Sequence, residues 1–125
     1  MVEDDVLLRQ IKMVVDAILR ALKGGPEARE QLDHAAIDTL GVDIATFRRL
    51  PVSAIPAVLP AGGPGGVDRW VLAARLVLAD AQARGCVEHG LGKALAIVEL
   101  AQESGASPEL VNDALEEILA ASAGR

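Results

Sequence analysis

The chain has 125 residues, of which 51% are hydrophobic and 24% charged, proportions typical of a folded globular protein and too apolar for a disordered one. Its net charge of −6 argues against nucleic-acid binding, which usually requires a basic surface. No run reaches the roughly 18 apolar residues of a membrane span, and a single cysteine excludes an internal disulfide. We therefore expect no nucleic-acid or membrane partner, and the acidic N-terminal start favours a cytoplasmic location.

The first predicted helix covers residues 4–23. Its apolar residues recur at helical spacing, at Leu7, Leu8, Ile11, Val14, Val15, Ile18, Leu19 and Leu22. Acidic residues open the segment and cations close it, which suits the helix dipole, and Gly24-Gly25 supplies a left-handed stop. The apolar arc is wider than one buried face requires. The helix therefore either fills the centre of its own bundle or covers its surplus apolar surface against a partner.

Short helical elements follow. A helix over residues 26–40 starts at a proline and ends at Gly41. Asp43 is suited to cap a short helical piece that ends before Pro51, because a residue that precedes proline avoids helical angles. A single further turn is predicted within residues 53–60.

A connector separates the two parts of the chain. Residues 59–67 contain four glycines and two prolines, which disfavour both helix and strand. A phosphate-binding loop is excluded because no strand precedes the segment and no Lys-Ser or Lys-Thr follows it. The single helical domain thus consists of N-terminal helices in 1–58 and C-terminal helices in 68–125. Trp70, just after the connector, is expected to be mostly buried and to lock this junction.

Three helices are predicted in the C-terminal part, over residues 68–89, 92–104 and 108–121. Asp68 is suited to cap the first, which stops at Gly90, although Gly85 offers an earlier end. Ser107-Pro108 places a capping residue and a first-turn proline at the start of the last helix. No stretch alternates with the period of a β-strand. We predict an all-α fold, a helical bundle of about five to six helices.

Two resemblances accompany these patterns. The chain resembles a family of small uncharacterised bacterial helical proteins, a domain of unknown function. The resemblance lies in residues 1–11, where acidic residues precede an aliphatic-Arg-x-Ile segment, and in Leu40-Gly41-Val42-Asp43. That resemblance implies an all-helical fold and transfers no site. The C-terminal helices resemble a tetratricopeptide-like hairpin, with Glu88-His89-Gly90-Leu91 as its turn, small residues at Ala94 and Ala101, and Pro108 near its end. Since no second copy occurs, this resemblance implies one hairpin within a bundle.

Few residues suggest a catalytic, metal or nucleotide site. Cys86 and His89 share one helical face, a pairing found in metal sites and in Cys–His nucleophiles. His34 is the only other histidine, and the predicted C-terminal end of a helix disfavours a thiolate at Cys86. Packing is the favoured interpretation, so we predict no metal, no cofactor and no catalytic residue. The segment Gly90-Leu91-Gly92-Lys93-Ala94 imitates a nucleotide-binding loop, but Val87 and Ala94 stand where that loop needs glycine and Ser or Thr.

The sequence therefore predicts a non-catalytic helical module that acts through protein–protein contacts or as a homodimer. An uncovered aliphatic face would promote aggregation, and a twofold contact is the commonest symmetric way to cover it. The predicted interface residues lie on the first helix and are Leu8, Ile11, Val15 and Leu19. The alternative is a small helical enzyme or a ligand or metal sensor that uses Cys86, His89 and His34.

Overall fold

A computed structural model describes residues 2–23, 26–62 and 65–123. In these residues the chain forms seven α-helices and one 3₁₀ turn, without any β-strand. The helices are α1 (Val2–Lys23), α2 (Pro26–Leu40), α3 (Ile44–Arg49), α4 (Ile55–Val58), α5 (Asp68–Arg84), α6 (Val87–Glu103) and α7 (Pro108–Ala123), and the 3₁₀ turn is Val52–Ala54. The prediction of an all-α helical bundle is confirmed.

Helix α5 occupies the centre of the bundle. Every residue from Trp70 to Ala81 is buried, so that this helix has no solvent-facing side over three turns. It contacts α1, α2, α3, α6 and α7, and its alanines leave room for these neighbours to approach. A helix enclosed on all sides forms the core of a bundle. Of the two alternatives for the first helix, the one in which it fills this place is wrong, because α1 keeps Leu8 and Leu19 more than half exposed.

Helices α1 and α2 pack together against one side of α5. Their core contacts come from Val14, Ala17 and Ile18 on α1 and from Leu32, Ala35 and Ala36 on α2. The side-chain amide of Gln10 donates to the carbonyl of Asp38 at 3.5 Å, which ties the two helices near the end of α2. Helix α2 ends before Gly41 as predicted, and the positive φ of +79° there suits glycine. The predicted stop at Gly24-Gly25 lies outside the described residues.

The short helix α3 forms as its local sequence predicts. The carboxylate of Asp43 accepts a hydrogen bond from the backbone N–H of Thr46 at 3.3 Å, which caps the helix. The pKa of Asp43 is lowered chiefly by a hydrogen bond with the Thr46 side chain, and the bond from the Thr46 backbone N–H lowers it further. Phe47 anchors the helix in the core with no exposed surface. Pro56 lies in the first turn of α4, where it is tolerated because no helical hydrogen bond is lost.

The junction after the connector is held by Trp70. Its side chain is only 3% exposed, which confirms the expectation of burial. The indole N–H donates to the carbonyl of Leu59 at 2.7 Å, so the ring joins the first residue of the connector to α5. Asp68 does not cap α5, contrary to expectation, because its carboxylate instead accepts from the backbone N–H of Ser107 at 2.6 Å. This bond joins the start of α5 to the loop before α7.

Two glycines near the α5–α6 corner have different roles. Helix α5 ends at Arg84, and Gly85 adopts the left-handed conformation with φ +75°. The predicted continuation to residue 89 is wrong, as is a hairpin turn at residues 88–91, because α6 already starts at Val87. Gly90 lies inside α6, where an added Cβ would overlap the Cβ of Ala81. The earlier glycine therefore ends the helix, and the later one lets two helices approach closely.

Candidate functional site

The predicted interface residues lie together on one flank of α1. At about 100° per residue, Leu8, Ile11, Val15 and Leu19 fall within an arc of about 80°, beside the buried face. We call these four residues the α1 stripe. Leu8 is 56% and Leu19 54% exposed, while Ile11 and Val15 are half-buried. The two ends of the stripe are therefore apolar surface, whereas Ile11 also packs against the core.

The surroundings of the α1 stripe differ on its two sides. Toward the core, Ile18 borders a shallow groove of about 120 Å³ that is floored by α5 and bounded by Glu117 of α7. Arg75 lies in that floor and binds Glu117 through two hydrogen bonds of 2.6 and 2.9 Å. Toward solvent, the stripe is flanked by the exposed side chains of Lys12 and Asp16. The stripe therefore borders one exposed cation and one exposed carboxylate, and the carboxylate pairs with Arg20 of its own helix.

A second candidate surface is a cavity of about 350 Å³ between α5 and the start of α6, with α3 along one edge. We call it the α5–α6 cavity. Its apolar wall includes Val77 and Ala81, and its polar wall carries three cationic side chains and one carboxylate. The polar residues are Arg48, Asp80, Arg84 and Lys93.

Asp80 organises the polar wall. Its side chain is 3% exposed, and a carboxylate so deeply buried requires partners. Arg48 supplies two hydrogen bonds, from Nε at 2.9 Å and from Nη2 at 3.3 Å. Arg84, one turn after Asp80 on α5, donates from Nε at 3.0 Å. Asp80 thus orients two guanidinium groups side by side at the cavity.

Lys93 closes the same wall from α6. Its ammonium donates to the carbonyls of Phe47, Arg48 and Leu50 at 3.2, 2.6 and 2.6 Å, and so satisfies the last carbonyls of α3. Burial and, to a lesser extent, the neighbouring charge of Arg48 lower the pKa of Lys93. The cation binds the negative end of a helix and stays in the cavity wall.

Cys86 and His89 both line the α5–α6 cavity. Cys86 occupies the N-cap position of α6, and its side chain makes no capping hydrogen bond. The expectation that the pair lies at the C-terminal end of a helix is wrong, because α5 stops at Arg84. The dipole argument against a thiolate at Cys86 therefore does not apply, since a helix N-terminus is its positive end.

His34 is not part of this arrangement. It lies exposed on α2 and does not line the cavity, so the structure brings Cys86 and His89 together without it. Its neighbour Asp33 accepts from the backbone N–H of Ile44 at 3.2 Å and so supports the start of α3. Within the described ranges, no three side chains of His, Cys, Asp or Glu are grouped so that they could hold a metal ion.

Sequence reasoning missed the cluster of Arg48, Asp80 and Arg84. One signal was available: Asp80 and Arg75 stand in an otherwise apolar helical run, and a buried carboxylate needs a cation. Its partner Arg48 lies 32 residues earlier, and nothing local to the sequence connects them.

Comparisons of the chain with protein-family models, curated proteins and solved structures find no match. Kinship with small bacterial helical proteins or with tetratricopeptide repeats therefore stays an expectation. In the part of the chain that the structure describes, no helix has both the length and the hydropathy to cross a bilayer.

Proposed function

We propose that this protein is a non-catalytic helical module that self-associates through α1. The observation that carries the proposal is the exposure of Leu8 and Leu19, at 56% and 54%, at the two ends of one apolar stripe. Apolar side chains at this spacing on a surface helix form a flank that a second helix can cover. The occupant we propose is a second copy of the same chain.

The pattern of the stripe supports a second copy, because it is symmetric about its own centre to within one residue. When two α1 helices lie antiparallel and cross between residues 13 and 14, Leu8 of one copy faces Leu19 of the other. Ile11 of one copy then lies within one residue, about 1.5 Å along the axis, of Val15 of the other. A twofold axis through this point therefore matches the two most exposed residues with each other and the two half-buried residues with each other.

Charge complementarity favours the same register. In the antiparallel arrangement, Lys12 of one copy lies beside Asp16 of the other, and the symmetry creates this pair twice. Both side chains are exposed and adjoin the stripe, and Asp16 pairs with Arg20 at 3.4 Å on the surface of its own helix. A parallel pair would place like charges together.

A cytoplasmic location is part of this proposal. One cysteine, and therefore no internal disulfide, suits a reducing compartment. The net charge of −6 favours partners other than nucleic acid.

Leu8→Glu is the sharpest substitution for testing the dimer, because Leu8 is exposed in the single chain and its loss leaves the core intact. Symmetry places the change in the interface twice, so we expect a loss of about 3 kcal/mol of association free energy, or about 100-fold in Kd. Light scattering across a concentration series measures it. The wild type should approach twice the 13.0 kDa of one chain, whereas the variant should stay near 13.0 kDa.

Ile37→Glu is the matched control. Ile37 is 56% exposed, as Leu8 is, but it lies on α2 outside the stripe. The same change of charge should there leave the mass of the dimer unchanged. A wild-type mass that stays at 13.0 kDa into the high micromolar range contradicts the proposal, and so does equal dissociation by both variants.

The antiparallel register has its own test. Lys12→Glu should weaken the dimer, because the new carboxylate faces Asp16 of the other copy, and Asp16→Lys should weaken it by opposing two cations. The double variant restores opposite charges and should recover the wild-type Kd. Failure of the double variant to recover association would show that the two helices meet in another register.

A further inference from the structure

The charge of the α5–α6 cavity is opposite to that of the whole chain. The chain carries a net charge of −6, yet three cations and one carboxylate line this cavity. Arg48 and Arg84 together present ten N–H donors, whereas the single carboxylate of Asp80 offers about four acceptor sites. Asp80 therefore fixes the two arginines in place without saturating them. Lys93 adds a third positive charge to the same wall.

The start of α6 borders the same cavity. The side chain of Cys86, at the N-cap, accepts no hydrogen bond from the first turn, and His89 and Gly90 of that turn line the cavity. The N-terminal end of a helix attracts anions through its unpaired backbone N–H groups. This helix end and the arginine pair approach the cavity from different elements, α6 on one side and α3 with α5 on the other.

We propose that the α5–α6 cavity binds a small organic anion, whose carboxylate or phosphate group pairs with Arg48 and Arg84 while its apolar part lies against Val77 and Ala81. A guanidinium pairs with either oxyanion through parallel hydrogen bonds. The volume of about 350 Å³ is that of a small-molecule site. Anion binding here is independent of self-association through α1, since the cavity and the α1 stripe share no residue.

The alkylation rate of Cys86 reports on this site, because Cys86 is the chain's only cysteine and it lines the cavity. Its thiolate displaces iodide from iodoacetate or from iodoacetamide and forms a thioether in both cases. The two reagents differ in that only iodoacetate is an anion. We expect the ratio of the iodoacetate rate to the iodoacetamide rate to be about tenfold higher at Cys86 than at glutathione. The iodoacetate rate should also saturate as the reagent concentration rises.

Arg84→Gln should lower this ratio to that of glutathione. Asp80 keeps Arg48 as a partner in this variant, so the fold is expected to persist, and circular dichroism checks it. Arg49→Gln is the matched control, since Arg49 is exposed, lies on α3 beside Arg48 and does not line the cavity. The control removes the same charge and should leave the ratio unchanged. Equal effects of both variants would show a general charge effect and overturn the proposal.

Protection of Cys86 identifies the kind of anion. Phenyl phosphate and benzoate at about 10 mM should slow its alkylation by iodoacetamide, whereas inorganic phosphate should protect less and phenol not at all. Protection by inorganic phosphate as strong as that by phenyl phosphate would contradict the apolar part of the site. Protection by phenol, or none by either organic anion, would overturn anion binding. In calorimetric titrations, phenyl phosphate should bind the wild type more tightly than it binds the Arg84→Gln variant.

Discussion

Trp70→Ala is expected to lower the free energy of unfolding by about 3–5 kcal/mol, the usual cost of truncating a large buried side chain. The substitution empties a site at which the indole is 3% exposed, and it leaves the carbonyl of Leu59 without its 2.7 Å hydrogen bond. Both losses occur where the connector joins α5. Urea denaturation followed by circular dichroism measures the change, since the variant has no tryptophan fluorescence.

Two controls separate the contributions at this position. Trp70→Phe keeps an aromatic ring but removes the N–H donor, and it should cost about 1–3 kcal/mol. Leu119→Ala truncates a side chain that is 68% exposed and should change stability by less than about 0.5 kcal/mol. A wild-type fluorescence maximum typical of an indole in water would contradict the burial of Trp70.

Gly90→Ala and Gly92→Ala are expected to have opposite effects, although the two residues lie in the same helix. An alanine at Gly90 would overlap the Cβ of Ala81, so α5 and α6 must separate, and overpacking of this kind costs about 1–3 kcal/mol. Nothing lies within 4 Å of the Cβ position at Gly92, which is exposed. Alanine there should therefore stabilise the protein by about 1 kcal/mol through helix propensity alone.

Thermal and urea denaturation of the two glycine variants measures this difference in sign. Ala81→Gly removes the opposing methyl group, so the double variant with Gly90→Ala should be more stable than Gly90→Ala alone. Stabilisation by Gly90→Ala, as large as that by Gly92→Ala, would show that α5 and α6 do not approach closely at this point.

Local signals predicted much of the fold because their physical causes lie within a few residues. Gly41 ends α2 through its positive φ, and Asp43 caps α3 through the N–H of Thr46. Gly85 and Gly90 show the limit of such signals. Both are plausible helix ends in the sequence, and only the packing of Ala81 on the neighbouring helix assigns Gly90 to a close approach.

Two buried charged residues of α5 obscured its central place in the sequence. Arg75 is 9% exposed and Asp80 2% exposed, positions that a charged side chain accepts only with a partner. Glu117 lies 42 residues from Arg75, and Arg48 lies 32 residues from Asp80. The sequence alone shows the charges but not these pairings. For the same reason it could not show the α5–α6 cavity, whose cations come from three helices.

Because α5 is enclosed on all sides, the two parts of the chain depend on each other for a complete core. Helices α1 and α2 bury their apolar faces against one side of α5, and α6 and α7 do so against another. The first part of the chain therefore cannot complete its core before α5 has been synthesised. Conversely, one apolar side of α5 stays exposed to solvent until α1 and α2 pack against it. Short-range contacts cannot complete either half, so the rate of folding depends on closing the chain across the connector. The two halves are expected to gain and lose their structure in a single cooperative transition.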